Sequence, residues 1–401
     1  MSDPWSWSSK DLITSLFAAY ALIFLLYYAH IELLKHRWRN HFARVLGFSG
    51  LLMLAASIFL YVANHAYIDE RVDARYVFLV SRDILALKNP YASNSSFYGP
   101  IYNILVSPIV LLPESYRIIV YGACLLAILA LITYLVLRDL GFRDALTPTF
   151  IIVTNPVLHY YGIAQAQIDD LLLALFIAIY LYTYQFLSRR AGSLVAALAT
   201  LIKPVRILLY APMISRRDLR NTYLSFTILA ALTLLFYSLY GYYMINNMLL
   251  EHVERVEGLS LSTICYCFKQ FSYLLASATI LIIILFDRDF FRILLASLLT
   301  FYIFTPLNFP EYYIWISAAA PIYLITRRNT PLALFFTSSI ITGRLWQHLI
   351  QSVANPDPLK QAILSVAYVS TQILSLLALY SNELFKALLK HRFLMHKLSL
   401  H

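Results

Sequence analysis

Asp69–Asn103, DERVDARYVFLVSRDILALKNPYASNSSFYGPIYN, is the longest polar interval in a chain made otherwise of apolar runs. It holds four acids (Asp69, Glu70, Asp73, Asp83), four bases (Arg71, Arg75, Arg82, Lys88) and two rigid turns, Asn89-Pro90-Tyr91 and Tyr98-Gly99-Pro100. If its middle is helical, the 3-4-3-4 spacing puts Asp73, Tyr76, Val80, Asp83 and Leu87 on one face. Arg75, Phe78 and Arg82 then fall on the opposite face. This pattern suits a short helix lying at a membrane surface and offering carboxylates to a pocket. The plainer alternative is a solvated connector.

On either side of this interval, apolar runs of roughly 17–25 residues recur, each long enough to cross a bilayer as a helix. They are continuous rather than alternating, which excludes strands as the spanning element. With 60% hydrophobic and 13% charged residues and a mean hydropathy of +0.69, the chain lacks the polar surface of a soluble protein. The expected fold is therefore all-α: a polytopic transmembrane helical bundle of about eleven spans, with a re-entrant hairpin and external juxtamembrane helices. The first run, Leu12 to Leu34, is followed by a basic cluster and reads as a span rather than a cleavable signal. A single domain is expected over 1–401: an extra N-terminal span and loop (1–44), a core (45–325), and C-terminal spans with a basic tail (326–401).

The net charge of +10 does not point to nucleic acid. Most Lys and Arg fall in alternate loops, at Lys35–Arg44, Arg138–Arg143, Arg189-Arg190, Arg216–Arg220, Arg288–Arg292, Arg327-Arg328 and Lys386–Lys397. The positive-inside rule makes those loops cytoplasmic, so the excess encodes topology. Cys124, Cys265 and Cys267 show no metal or disulfide spacing. Ala191 to Ile214 breaks the alternation, because basic pairs flank it on both sides. A hairpin broken at Lys203-Pro204 resolves this, since proline ends a helix and irregular backbone is tolerated at depth only beside a polar cavity. A second external loop, 246–270, carries Glu251, Glu254 and Glu257 at helical spacing.

Lys203, Arg206 and Arg344 remain inside the apolar part. An ionisable group at that depth costs at least about 2.5–3.5 kcal/mol and signals function or an internal partner. Arg206 has a plain alternative in snorkelling to the surface, and His348 shares a helix face with Arg344. Acids in outer loops above bases in the membrane make a layout for an anionic lipid headgroup, with Lys and Arg on its phosphate. Asp169 and Asp170 also have a plain reading, as acids favoured by a helix N-terminus.

These motifs resemble the GT-C superfamily of membrane glycosyltransferases, especially the dolichyl-phosphate-mannose-dependent mannosyltransferases related to GPI mannosyltransferase I. Val72-Asp73-Ala74-Arg75-Tyr76 is similar to the family's Asp-containing loop, and Asn89-Pro90-Tyr91, Tyr98-Gly99-Pro100-Ile101 and Leu112-Pro113 resemble its "SPY…YTPL…P" series. Asn155-Pro156 with Gln167-Ile168-Asp169, then Ile202-Lys203-Pro204, then Pro310-Glu311-Tyr312-Tyr313-Ile314-Trp315, are similar to "P…GQxD", "KP" and "PQYxxW". Two departures stand out: Asp73 has no adjacent acid, leaving Asp69-Glu70 as the nearest pair, and Glu311 stands where the family has Gln.

The resemblance implies inverting transfer of a hexose, mannose favoured, from a polyprenyl-phosphate sugar to a hydroxyl of a glycan or lipid acceptor. The site would lie on the non-cytoplasmic face of the plasma or endoplasmic-reticulum membrane, among membrane lipids. The base would be Asp73, with Asp69 and Glu70 as the other candidates. Substrate contacts would come from Asp83, Tyr98, Asp169, Lys203, Arg206, Glu311, Tyr312, Arg344 and His348. No cofactor is required, and a Mg or Mn ion between Asp73 and an acid such as Asp169 is compatible with the residues. The competing reading is a transporter or flippase of a lipid-linked or anionic substrate, for which intramembrane bases and a broken hairpin also suffice.

Overall fold

The computed structural model describes residues 7–33, 36–93, 96–203, 208–250, 257–258, 271–305, 307–308, 310–351 and 357–381. Arg206, Pro204, Asn94, Glu251, Glu254 and the basic tail from Lys386 lie outside them. The protein is an all-α polytopic membrane protein. Its helices are α1 (Trp7–Leu33), α2 (His36–Ala63), α3 (His65–Asp69), α4 (Val72–Leu85), α5 (Pro100–Val106), α6 (Arg117–Asp139), α7 (Leu146–Val153), α8 (Ile168–Tyr182) and α9 (Arg189–Thr200). They continue as α10 (Ala211–Ser215), α11 (Leu219–Tyr240), α12 (Tyr242–Ile245), α13 (Ser272–Phe286), α14 (Phe290–Phe304), α15 (Ile314–Arg327), α16 (Thr330–Trp346) and α17 (Pro358–Leu379). Among the described residues, 6 helices are long and apolar enough to cross a membrane. Pro100–Leu111, Ser272–Phe286 and Phe290–Phe304 are apolar but shorter.

At the centre is α8, packed against α6, α9 and α15, with nearly every residue from Ile168 to Ala178 buried. Outer helices such as α11 leave much of their apolar surface facing outward, as lipid contact requires. Close helix contacts use small residues. A Cβ on Gly50 of α2 would come within 2.9 Å of Thr154 Oγ1.

The hairpin is visible in its anchors. The basic pairs at its two ends converge, because Arg189 lies 3.7 Å from Asp218 and Ser225 Oγ donates to Ser193 O. Between them α9 runs 12 residues, about 18 Å at 1.5 Å per residue. It ends at Thr200, ahead of Pro204, as the clash of a proline ring with the preceding turn dictates. Arg292 holds Asp287 by two bonds of 2.6 and 2.8 Å, and Arg327 holds Asp289 at 2.6 Å. One end of the bundle is thus rich in arginine, and the Lys203 tip of the hairpin lies at the other.

Two expectations are corrected. Leu87 does not share the α4 face, because the helix stops at Leu85 and Leu87 turns out with φ 54°, 96% exposed. Glu257 is not helical: Glu257–Gly258 (β1) pairs in parallel with Leu307–Asn308 (β2), tying the second external loop to the turn before Pro310. The rest of α4 follows its pattern, with Ala74, Val77, Val80 and Asp83 buried and Arg75 and Arg82 exposed.

Candidate functional site

Lys203 is where the separate elements meet. Its Nζ donates to Asp169 Oδ2 at 2.5 Å and to Asp170 Oδ1 at 2.7 Å. Both acids sit in the first turn of α8, where the unsatisfied amides of the helix end favour negative charge. Trp315 Nε1, from the start of α15, also donates to Asp170 Oδ1, at 2.8 Å. The ammonium lies over the rings of Tyr312 (4.6 Å), Trp315 (5.5 Å) and Tyr98 (5.6 Å), an arrangement that favours a cation. Tyr312 and Trp315 stack at 5.5 Å with planes 17° apart.

The backbone fixes this tip. Gly99 N donates to Ile202 O at 2.8 Å, and Ile101 N to Leu201 O at 3.2 Å. A Cβ on Gly99 would fall 1.9 Å from Leu201 O, so only glycine allows the turn before α5 to lie against the hairpin. Pro100 then opens α5 at a position needing no amide proton.

Asp73, in the first turn of α4, faces the same cluster. Gln167 Nε2 donates to its Oδ2 at 2.9 Å. Burial, reinforced by the nearby Asp169 carboxylate and opposed by Arg71, Lys203 and the Gln167 bond, raises its pKa to about 6. Gln167 is aimed by the turn from Gln165 to Ile168, where Ala166 takes φ 58°, a strained conformation for a residue with a Cβ. That turn follows a π-helical segment, Val157–Ala164, a feature frequent at functional sites.

Glu311 completes the acidic ring. Burial, and to a smaller extent the Asp170 and Asp73 charges, raise its pKa to about 7 in spite of Lys203. A protonated Glu311 is a neutral hydrogen-bond donor of glutamine's shape. Glu311→Gln is therefore expected to retain transfer and to keep it above pH 7, where the parent loses it as Glu311 ionises. Measuring rate against pH for both proteins checks this, and a Gln variant that is inactive at pH 6 would refute it.

Arg344 reaches the cluster indirectly. It is buried, with Nη1 3.0 Å from Gln347 Oε1 and 3.4 Å from Tyr160 Oη, and its guanidinium rests 4.9 Å from the Tyr160 ring. Gln165 Nε2 donates to that same Tyr160 Oη at 2.7 Å, so Arg344 and Asp73 are both held from the Gln165–Gln167 turn. Asp69, Glu70, Asp83 and His348 sit in other settings. Asp69 neighbours His65, Arg117 and Glu114, and burial lifts its pKa to about 6. Glu70 is the exposed cap of α3. Asp83 accepts from Ser93 Oγ at 2.8 Å, fastening the loop after α4. His348 lies 3.7 Å from Asp11. Among the described residues, no group of three or more His, Cys, Asp and Glu could hold a metal ion.

Asp170, Gln167 and Trp315 were not among the residues expected at the site. Each stood within a motif already noted, but a tertiary contact is needed to give them roles. Residues 97–253 match the model of glycosyltransferase family 87. This segment carries Tyr98, Gln167, Asp169, Asp170 and Lys203, while Asp73 and Glu311 lie outside it. No curated protein matches the chain. Over that part the chain is similar to glycosyltransferases.

Proposed function

We propose that the chain is an inverting hexosyltransferase that takes its sugar, mannose favoured, from a polyprenyl phosphate at the non-cytoplasmic face. The observation that carries this reading is the meeting of Asp73 with the Lys203–Asp169–Asp170 cluster. One carboxylate there is kept from full ionisation by burial and aimed by Gln167. In the reaction, the acceptor oxygen forms a bond to the anomeric carbon while the bond from that carbon to the phosphate oxygen breaks. The acceptor's proton passes to Asp73, and the polyprenyl phosphate leaves with the bonding electrons. Charge develops on the sugar as an oxocarbenium-like transition state, as in glycoside cleavage. The surrounding carboxylates suit that positive charge.

In this reading Lys203 is a positioning residue. Two carboxylates already compensate its ammonium, so it holds Asp169 and Asp170 in place and moderates their charge. Arg344, joined to Asp73 through Tyr160 and the Gln165–Gln167 turn, is the cation assigned to the departing phosphate. The family match supports sugar transfer, and the resemblance to polyprenyl-phosphate-dependent enzymes supports the donor.

The test is transfer by the purified protein in nanodiscs, supplied with labelled polyprenyl-phosphate mannose, polyprenyl-phosphate glucose or a nucleotide sugar. Incorporation from the first is expected, and use of the nucleotide sugar alone would reject the donor. Membrane orientation has its own check. The positive-inside rule places the arginine-rich end in the cytoplasm, so a cysteine replacing Leu87 is expected to react with an impermeant maleimide in intact cells. Labelling only after permeabilisation would reverse the orientation.

A further inference from the structure

A groove of about 660 Å³ runs between α4 and the 3-10 turns at Ser107–Leu111 and Glu114–Tyr116. Its walls are Phe78, Leu79, Leu85 and Val110, and two arginines, Arg82 and Arg117, project along it. Arg117 spends Nε on Leu112 O at 3.1 Å and lies 5.8 Å from the Phe78 ring. The Arg82 guanidinium makes no ion pair or hydrogen bond with any described residue. One acid, Glu114, shares the lining, so the groove carries a net positive charge.

Its position is set by the candidate span Glu114–Asp139, which contains α6 and begins at the groove. The groove is therefore at the rim of the bilayer. Apolar side chains around it are exposed, Leu85 in the groove by 51% and nearby Leu111 by 77%, as expected of a surface that faces lipid. Arg82 follows Asp73 by nine positions on α4, about two and a half turns at 3.6 residues per turn. The groove accordingly lies on the opposite face of the helix from the candidate site.

We infer that this groove holds an anionic phospholipid of the adjacent leaflet, its phosphate between Arg82 and Arg117 and an acyl chain along Leu79, Leu85 and Val110. Guanidinium groups match a phosphate's oxygens in planar, paired fashion, and they shed water more readily than an ammonium. A soluble anion would meet the same arginines but would leave the apolar wall bare. A peptide partner would leave unexplained why that wall opens at the bilayer rim. A lipid satisfies both halves of the groove at once. The site does not depend on the transferase reading, since no residue of the groove belongs to the Lys203 cluster.

The test uses the full chain in phosphatidylcholine nanodiscs doped with a phosphatidylglycerol that bears a diazirine on its acyl chain. After irradiation and digestion, label is expected on peptides covering 78–86 and 107–117. Arg82→Gln, which removes a guanidinium that has no ion pair or hydrogen bond among the described residues, is expected to reduce that label about tenfold, the loss of one charge-assisted bond. Arg82→Gln with Arg117→Gln is expected to abolish it. Arg143→Gln, on an exposed arginine at the far end of α6, is expected to leave it unchanged. Three results would each overturn the assignment: equal labelling by the diazirine phosphatidylcholine, label spread evenly over all helices, or label unaffected by Arg82→Gln. Displacement of the probe by millimolar inorganic phosphate would also overturn it, by showing an anion site indifferent to the lipid.

Discussion

Asp73→Asn is expected to lower sugar transfer by about 10²–10⁴-fold, the range for loss of a general base, while the protein remains folded. The amide still accepts from Gln167, whose bond to Asp73 spans 2.9 Å, so geometry survives and basicity does not. Asp69→Asn should be nearly silent in the same assay, because Asp69 answers to His65, Arg117 and Glu114 rather than to Lys203. The pH dependence adds a second reading. Asp73 must be ionised to accept a proton, and its pKa is about 6, so transfer should rise through that pH and fall again above about 7 as Glu311 ionises. Gln167→Leu deletes a bond that favours the carboxylate, so its acidic limb should move to higher pH. A profile unmoved by Gln167→Leu would detach Asp73 from the chemistry.

The same substitution predicts a change in stability, with the opposite sign. A carboxylate raised from 3.8 to about 6 is less favourable when ionised in the folded chain than in the unfolded one. The penalty is absent below pH 3.8, grows between the two values and is complete above 6. It corresponds to at most about 3 kcal/mol. Asp73→Asn should therefore melt higher than the parent at pH 7.5 and at the same temperature at pH 3.5. Stability and activity would then diverge at one residue, the pattern of a group held in place for reaction rather than for folding.

The second large effect is expected at Lys203→Met. The lysine is 12% exposed, and its partners Asp169 and Asp170 are 3% and 0% exposed. Removing the cation leaves adjacent buried carboxylates, a cost of about 3–5 kcal/mol, enough to depress folded yield and melting temperature together. Adding Asp170→Asn should restore part of the stability, since an amide oxygen still accepts from Trp315 Nε1. It should not restore transfer. If Lys203→Met alone melts with the parent, the cluster is not the anchor described above.

Much of this architecture could be read from the chain. The apolar run lengths gave the helical membrane class, and the doubled arginines around Ala191–Ile214 required a chain that returns to the side it left. Asp218 facing Arg189 is the physical form of that requirement. The split of α4 into an acid-bearing face and an Arg75/Arg82 face also followed from spacing alone. What could not be read was pairing at a distance. Asp169 and Asp170 look alike as acids at a helix start, and nothing local says that both are spent on one lysine 33 and 34 residues away. Nor does local sequence separate Asp69 from Asp73. The two differ in which neighbours surround them, which is decided by the packing of α3 against α6 and of α4 beside the Gln167 turn. Leu87 was misplaced because a 3.6-residue pattern carries no mark of where a helix stops.

The broken hairpin has one more consequence. Its foot is clamped at the arginine-rich end, where Asp218 takes the Tyr184 hydroxyl at 2.6 Å beside Arg189, and its tip is clamped by the Gly99 and Ile101 amides. Between these clamps α9 is a stiff strut only a few turns long. Loosening the foot is therefore expected to shift the Lys203 ammonium at the other end of the strut. α9 thus joins the arginine-rich end of the bundle to the Lys203 cluster as one mechanical element, with no domain having to move.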